Sequence, residues 1–181
     1  MGRQKTIDRN EVIDAAERVI TIQGVGNFSI GAVAKEAGIS KGGVQSCFKT
    51  KEELISALVA KWFSIEETAY DLVAKDCNDV AGRIRAHVAI SRDLIALPES
   101  KRCAVLAGLL AQDQNKGPAK DWYRKRYDNF SAESSEDRRA RVAFIASEGM
   151  FYLKFLGLFD FGTDEWDDIF DDIQKVADGR L

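Results

Sequence analysis

The chain has 181 residues, 45% of them hydrophobic and 30% charged, a balance that fits a globular protein with a real core and excludes a disordered or fibrous one. Its net charge of −3 is unevenly spread: residues 1–51 hold eight basic and five acidic side chains, the remainder eighteen and twenty-four, so a basic head precedes an acidic body. Only two prolines occur, and the three cysteines (Cys47, Cys77 and Cys103) form no CxxC pair, which argues against a disulfide framework and fits a reducing cytoplasm.

Residues 1–8 make a polar arm with Arg3 and Lys5, either a basic segment lying on phosphates or in a minor groove, or a loose tail. The start matches the permissive myristoylation pattern but lacks the apolar core of a signal peptide, and no apolar run reaches the length of a membrane span. Asp8 or Asn10 opens a first helix with Val12, Ile13, Ala16, Val19 and Ile20 on its apolar face, and Gly24 or Gly26 ends it. Ser29 is placed to cap a short helix carrying Ile30, Val33, Ala34 and Ala37, which stops at Gly38. Ser40 caps the next, with Val44 and Phe48 inward. Its outward residues, Lys41, Gly42, Gly43, Gln45 and Ser46, are small, polar or cationic, as a helix that enters a DNA groove requires. Thr50 and Glu53 form a capping box at the start of a long helix, where Lys51 and the free N–H groups offer a phosphate site.

The run Ala34-Lys35-Glu36-Ala37-Gly38-Ile39-Ser40-Lys41-Gly42, followed by Phe48-Lys49-Thr50-Lys51-Glu52-Glu53-Leu54, resembles the DNA-binding domain of TetR-type (TetR/AcrR) transcriptional repressors. The likeness covers roughly the first fifty-five residues, and the rest agrees only in helical pattern. It implies an all-α fold, with a helix-turn-helix DNA-binding domain at 1–54 and a helical effector-binding and dimerisation domain at 55–181. It further implies a cytoplasmic homodimer on a pseudo-palindromic double-stranded DNA operator, released by a small-molecule effector. The contact set carried over is Ser29, Ser40, Lys41, Gly42, Gly43, Gln45, Ser46, Lys49 and Lys51. Family members commonly have Gly-Thr-Leu-Tyr-x-Tyr/His-Phe after the Ser-Lys; Gly42-Gly43-Val44-Gln45-Ser46-Cys47-Phe48 stands here, so Gln45 replaces the usual aromatic phosphate contact. Cys47 reads as a small packing residue or, alternatively, an oxidation-sensitive thiol.

The helix after Lys51 runs to about residue 75, with Leu54, Leu58, Trp62, Ile65, Ala69 and Leu72 along one face. In the resemblance it joins head to body. Residues 76–79 and Gly82 read as a loop. A helix with Ile84, Val88, Ser91 and Ile95 follows and stops at Pro98. Further helices are expected at 99–113, 119–130, 138–159 and 163–178. The last two are the most apolar pair, and the resemblance implies that they form the homodimer interface. The seven acids between Asp160 and Asp172 read as a solvated face rather than a metal site.

His87 is the only histidine, and no P-loop, GxGxxG, G-x-S-x-G or HExxH motif occurs, so no enzyme, cofactor or metal is expected. By the resemblance, Trp62, Phe63, His87, Cys103, Trp122, Tyr123, Met150 and Tyr152 come from helices that surround an effector cavity. Core packing accounts for the same residues equally well. The rival reading is a helical protein-binding module that no longer reads DNA.

Overall fold

Each helix of the head begins where a short polar side chain takes an orphan backbone N–H. In the computed structural model, which describes residues 7–93, 103, 105–106, 109–110, 116–127, 130–131 and 133–181, Asp8 accepts from the Asn10 N–H at 2.8 Å and opens α1 (Arg9–Gln23). Gly24 ends it, and a single 3₁₀ turn, Val25–Asn27, leads on. Ser29 Oγ accepts from the Ala32 N–H at 3.1 Å to start α2 (Ile30–Ala37), and Ser40 Oγ accepts from the Gly43 N–H at 3.0 Å to start α3 (Lys41–Cys47). Gly38 joins them with φ 66°, a left-handed conformation that side-chain-bearing residues rarely adopt. Thr50 caps α4 (Lys51–Val73), and Glu53 reaches back to the Lys49 N–H at 2.8 Å.

In the body, α5 (Val80–Asp93), α6 (Gly117–Tyr127), α7 (Ser135–Phe155) and α8 (Thr163–Asp178) complete an all-α fold with no strand among the described residues. Several boundaries differ from those expected. Gly82 lies inside α5, because Asp79 Oδ1 accepts its N–H at 2.6 Å. Gly117 and Pro118 belong to the first turn of α6, where the missing proline N–H has no intrahelical acceptor to serve. Ser134 caps α7 three residues earlier than the pattern indicated, and Gly157, at φ 68°, follows its end at Phe155. The arm with Arg3 and Lys5, the segment Ile95 to Pro98 and most of 99–113 lie outside the described residues; Cys103, Val105, Leu106, Leu109 and Leu110 are helical.

Two buried clusters organise the packing. One joins α1–α4, with Val12, Val19, Phe28, Val44, Phe48, Leu54, Leu58 and Trp62, and continues to Leu106, Leu109, Leu110 and Ala119. The other joins α5, α7 and α8 around Ile84, Val88, Phe144, Trp166 and Phe170. Along α4 the inward face departs from the expected stripe: Ile65, Ala69 and Leu72 are exposed, while Phe63, Tyr70 and then Ala74 are buried. Beyond Phe63 the neighbours of α4 are α5 and α6 rather than α1, so the covered side rotates. The acids of α8 are not all free, either. Arg92 of α5 donates to Asp167 at 3.0 Å and Asp171 at 2.6 Å, and the Trp166 indole donates to the Arg92 carbonyl at 2.9 Å.

An ion cluster fastens α6 to α4. Glu67 accepts from Lys125, and its other oxygen lies 2.9 Å from Arg126 Nη2. Partial burial works against ionisation of Glu67, but Lys125 and the Arg126 charge outweigh it and hold its pKa below the ordinary carboxylate range.

Two outcomes follow from this packing. Phe48 is 0% exposed, with the Arg9 guanidinium 4.2 Å above its ring, so Phe48→Ala should lower stability in urea unfolding by about 3–5 kcal/mol. A depressed carboxylate pKa stabilises the fold above the unfolded-state pKa and stops doing so as pH falls through the folded one. The Tm gap between wild type and Glu67→Gln should therefore be widest at neutral pH and close on acidification below about pH 4; a gap that widened in acid would overturn the assignment.

Candidate nucleic-acid interface and inner cavity

The solvent face of α3 follows from what anchors its other side. Val44 and Phe48 are fully buried and Ile39 half-buried, which leaves Lys41, Gly42, Gln45 and Ser46 exposed. Gly43 does not join them. It is buried, and a Cβ there would lie 2.8 Å from Ile7 Cδ1 and 3.5 Å from Ile39 Cδ1, so this glycine admits the start of the chain against α3 instead of facing a duplex. At Gly42 an added Cβ would meet only Ser40 Oγ, at 3.8 Å, and the outer surface stays open to close approach. Ser46 donates to the Gly43 carbonyl at 2.7 Å and keeps its lone pairs to accept.

The cations converge on the first turn of α2. The Lys41 stem crosses Gly31, where an added Cβ would sit 2.9 Å from Lys41 Cε, and Lys51 Nζ lies 5.7 Å from the Phe28 ring centroid. Ser29 stands between these positions in the chain, exposed, with its oxygen capping α2. No carboxylate among the described residues pairs with Lys41, Lys49 or Lys51. Two ammonium groups beside a helix N-terminus make an anion site. Sequence reasoning missed Arg9, exposed and stacked on Phe48; nothing local signals that stack, because the partner lies 39 positions away.

A cavity of about 50 Å³ lies among α4–α7. Of the eight residues expected around it, Phe63, His87, Cys103, Trp122 and Tyr123 line it. Trp62 faces the other way: its indole donates to Glu17 of α1 at 3.0 Å, because successive residues on a helix point about 100° apart. Met150 is buried in the body cluster, and Tyr152 stands behind the wall with its hydroxyl 3.2 Å from that of Tyr123. Unexpected polar members include Glu66, Tyr70, Ser91, Arg126 and Glu148. Glu148 could have been found as the one acid inside the apolar run from Val142 to Leu153.

Glu148 is the hub of the polar wall. One oxygen is 2.8 Å from His87 Nε2 and the other accepts from the Tyr123 hydroxyl; Ser91 Oγ is 3.4 Å from the same His87 nitrogen. Burial, and then the Glu148 charge, push the Tyr123 pKa far up, so this phenol remains a donor. Arg126 lies between the rings of Tyr70 and Trp122, 3.6 and 4.2 Å from their centroids. Burial pushes its pKa down against the opposing pull of Glu67, yet a guanidinium starts high enough to stay charged. Among the described residues no group of three or more His, Cys, Asp or Glu could hold a metal ion, and no helix is long and apolar enough to cross a membrane.

Both ends of the chain match known families. Residues 12–58 match the model of bacterial regulatory proteins of the tetR family, and residues 81–178 that of the tetracyclin repressor-like C-terminal domain. The chain is 43% identical over 60 residues to the HTH-type nicotine-responsive transcriptional repressor HdnoR of Paenarthrobacter nicotinovorans, an alignment spanning 33% of this chain and 31% of that protein. The fold superposes on multidrug binding protein EbrR complexed with malachite green, at TM-score 0.69 and 19% identity over 99% of both chains. It also superposes on AibR in complex with isovaleryl coenzyme A and operator DNA, at TM-score 0.63 and 16% identity over 92% of this chain and 96% of that one. Since the C-terminal match alone spans more than half of the sequence, the chain belongs to the tetR family of bacterial regulatory proteins.

Proposed function

We propose that this protein is a cytoplasmic transcriptional repressor that binds a pseudo-palindromic operator as a homodimer and leaves it when a small molecule enters the cavity of the body. The observation that carries the reading is the exposed face of α3: Lys41, Gly42, Gln45 and Ser46 on a helix anchored by Val44 and Phe48, flanked by Ser29 and Lys51 at two helix N-termini. Gln45 and Ser46 are the base readers in this reading, and Ser29, Ser40, Lys41, Lys49 and Lys51 the phosphate contacts. Gly42 contributes closeness; Gly43 contributes the packing that seats the helix.

Homodimerisation is supported by an apolar stripe on α7. Val142, Ile145, Leu153 and Leu156 are 57%, 56%, 41% and 40% exposed and recur with Gly149 at helical spacing. A second copy of the same helix covers such a stripe through two-fold symmetry, which also sets two α3 helices on successive major grooves about 34–36 Å apart.

The cavity supplies the response. Ligand pockets commonly measure about 300–1,000 Å³, so a ligand must displace walls that now enclose about 50 Å³. Phe63 is one such wall, with its ring 5.4 Å from that of Trp122, and Trp62, its neighbour on α4, bonds Glu17 of α1. Lys61 adds bonds to Glu17 at 2.6 Å and Asp14 at 2.7 Å. Displacing α4 therefore carries α1, and with it the helix-turn-helix, toward a head spacing that fits DNA less well. Release follows from the ligand's higher affinity for that arrangement. HdnoR is named as nicotine-responsive, and AibR is described with both an acyl coenzyme A and operator DNA.

Selection of bound duplexes from a random library is the direct test. An enriched two-fold-symmetric consensus is expected, whereas no enrichment at low salt would favour the rival protein-binding module. On the selected duplex, Lys51→Ala should flatten the log–log salt dependence by about one per subunit, while Gln45→Ala should cost about 1–3 kcal/mol at particular base pairs and leave that slope intact. An unchanged slope for Lys51→Ala would remove it from the phosphate contacts. Sedimentation tests the dimer: wild type should run as a dimer at micromolar concentration and the Val142→Glu/Ile145→Glu variant as a folded monomer with much weaker DNA binding. A dimeric variant would place the interface elsewhere.

A further inference from the structure

The polar groups of the inner cavity are not equally satisfied, and the imbalance points to one ligand chemistry. Arg126 is only 6% exposed, and among the described residues its Nε and Nη2 have no hydrogen-bond acceptor. Nη2 is 2.9 Å from Glu67 Oε2 but off the hydrogen-bonding direction, and that oxygen is equally without a donor. A small rotation joins those two and still leaves Nε. The indole Nε1 of Trp122 is buried without an acceptor as well. Trp122 and Arg126 are one turn apart on α6, and the guanidinium lies 4.2 Å from the indole centroid. Two unfilled donors, one of them cationic, thus occupy one wall of the cavity. Buried N–H groups in folded proteins are nearly always paired.

The opposite chemistry has no place to bind. A ligand cation would seek the aromatic faces of Tyr70 and Trp122, which the Arg126 guanidinium already covers, the Glu148 carboxylate, whose two oxygens already serve His87 and Tyr123, or Glu66, the other acid of the lining, which is itself already engaged. The apolar part of the lining includes Phe63, Leu106 and Phe151.

We propose that the cavity takes a small organic carboxylate, its apolar ring or chain against Phe63 and Phe151 and its carboxylate oxygens accepting from Arg126 Nε and Trp122 Nε1. The proposal rests on the reading of this cavity as the effector site and narrows the effector to an acid. A guanidinium and an indole N–H accept the two oxygens of one carboxylate in a way that neither an amine nor a hydrocarbon can reproduce.

Isothermal titration calorimetry of the full-length protein with three isosteric probes tests it: 2-naphthoate, 2-naphthamide and 2-naphthylmethylammonium, at neutral pH. Naphthoate should bind about tenfold or more tighter than the ammonium probe, with the amide between, as expected for a charge-assisted hydrogen bond. Arg126→Gln should erase that order. Because a buried arginine can be needed for folding, Trp122→Phe provides the second variant: it keeps an aromatic ring, removes the N–H, and should weaken naphthoate about threefold to tenfold more than it weakens the ammonium probe. Equal or tighter binding of the ammonium probe, binding of none of the three, or an unaltered naphthoate affinity in Trp122→Phe overturns the inference. Fluorescence anisotropy of the selected duplex in the same titrations separates the two claims. Naphthoate that binds without loosening DNA removes the effector role and keeps the acid preference; release by the ammonium probe alone removes the preference and keeps the role.

Discussion

The head and the inner cavity meet at two successive residues of α4. Trp62 is buried in the head cluster and donates to Glu17 of α1, whereas Phe63 forms cavity wall against Trp122 of α6. Neighbours on one helix share its backbone, so Phe63 and Trp62 move together with α4. The carboxylate of Glu17 also bonds Lys61, whose pKa is held up by Asp14 and Glu17 although burial works against it. Two adjacent side chains, Lys61 and Trp62, therefore clamp α4 to α1, and beyond Phe63 the helix packs against the body. The head cluster does not stop at the expected domain boundary: Leu58, Val59 and Trp62 continue it.

The body uses charge in two different ways. On its surface, Arg92 gathers Asp167 and Asp171 and so ties α5 to α8, in pairs exposed enough to be screened by water and salt. Around the cavity, Glu148 and Arg126 lie near each other in the fold yet solve burial separately. Glu148 satisfies both oxygens with neighbouring side chains, and Arg126 satisfies its charge with aromatic faces and one misaligned carboxylate. Burying a charge without full hydrogen bonding is costly. Arg126 therefore keeps unused bonding capacity in a residue that lines the cavity.

Most of the head was legible because its signals are local. Ser29, Ser40 and Thr50 each cap the helix that follows within three residues, and Gly38 marks the turn by its backbone alone. What escaped depends on partners distant in the chain. The side that Gly43 presents is fixed by Ile7, 36 positions earlier; Arg126 becomes buried only because α4 supplies Tyr70; and the lower half of α4 turns its apolar Ile65 and Leu72 outward because α5 and α6 cover the other side. Periodicity identifies that a helix has two faces. It does not state which neighbour will arrive, and for α7, apolar on both, the choice between core and exposed face is invisible until Phe144 is seen inward and Ile145 outward.

The same dependence on neighbours bears on the reading helix itself. Gly42 and Gly43 each disfavour a helix by about 1 kcal/mol relative to alanine, and seven residues are too few for α3 to hold its own shape. Its order comes from the Ser40 cap, from Val44 and Phe48 in the core, and from Ile7 lying on Gly43. Ile7 immediately precedes α1, the helix that Glu17 joins to Trp62 and Lys61. This short helix is therefore held in part by the residue that leads into α1, the helix that α4 joins to the cavity wall. Under the proposed response, a small displacement of α1 would act on α3 twice, by shifting its position and by loosening the Ile7 contact that helps seat it.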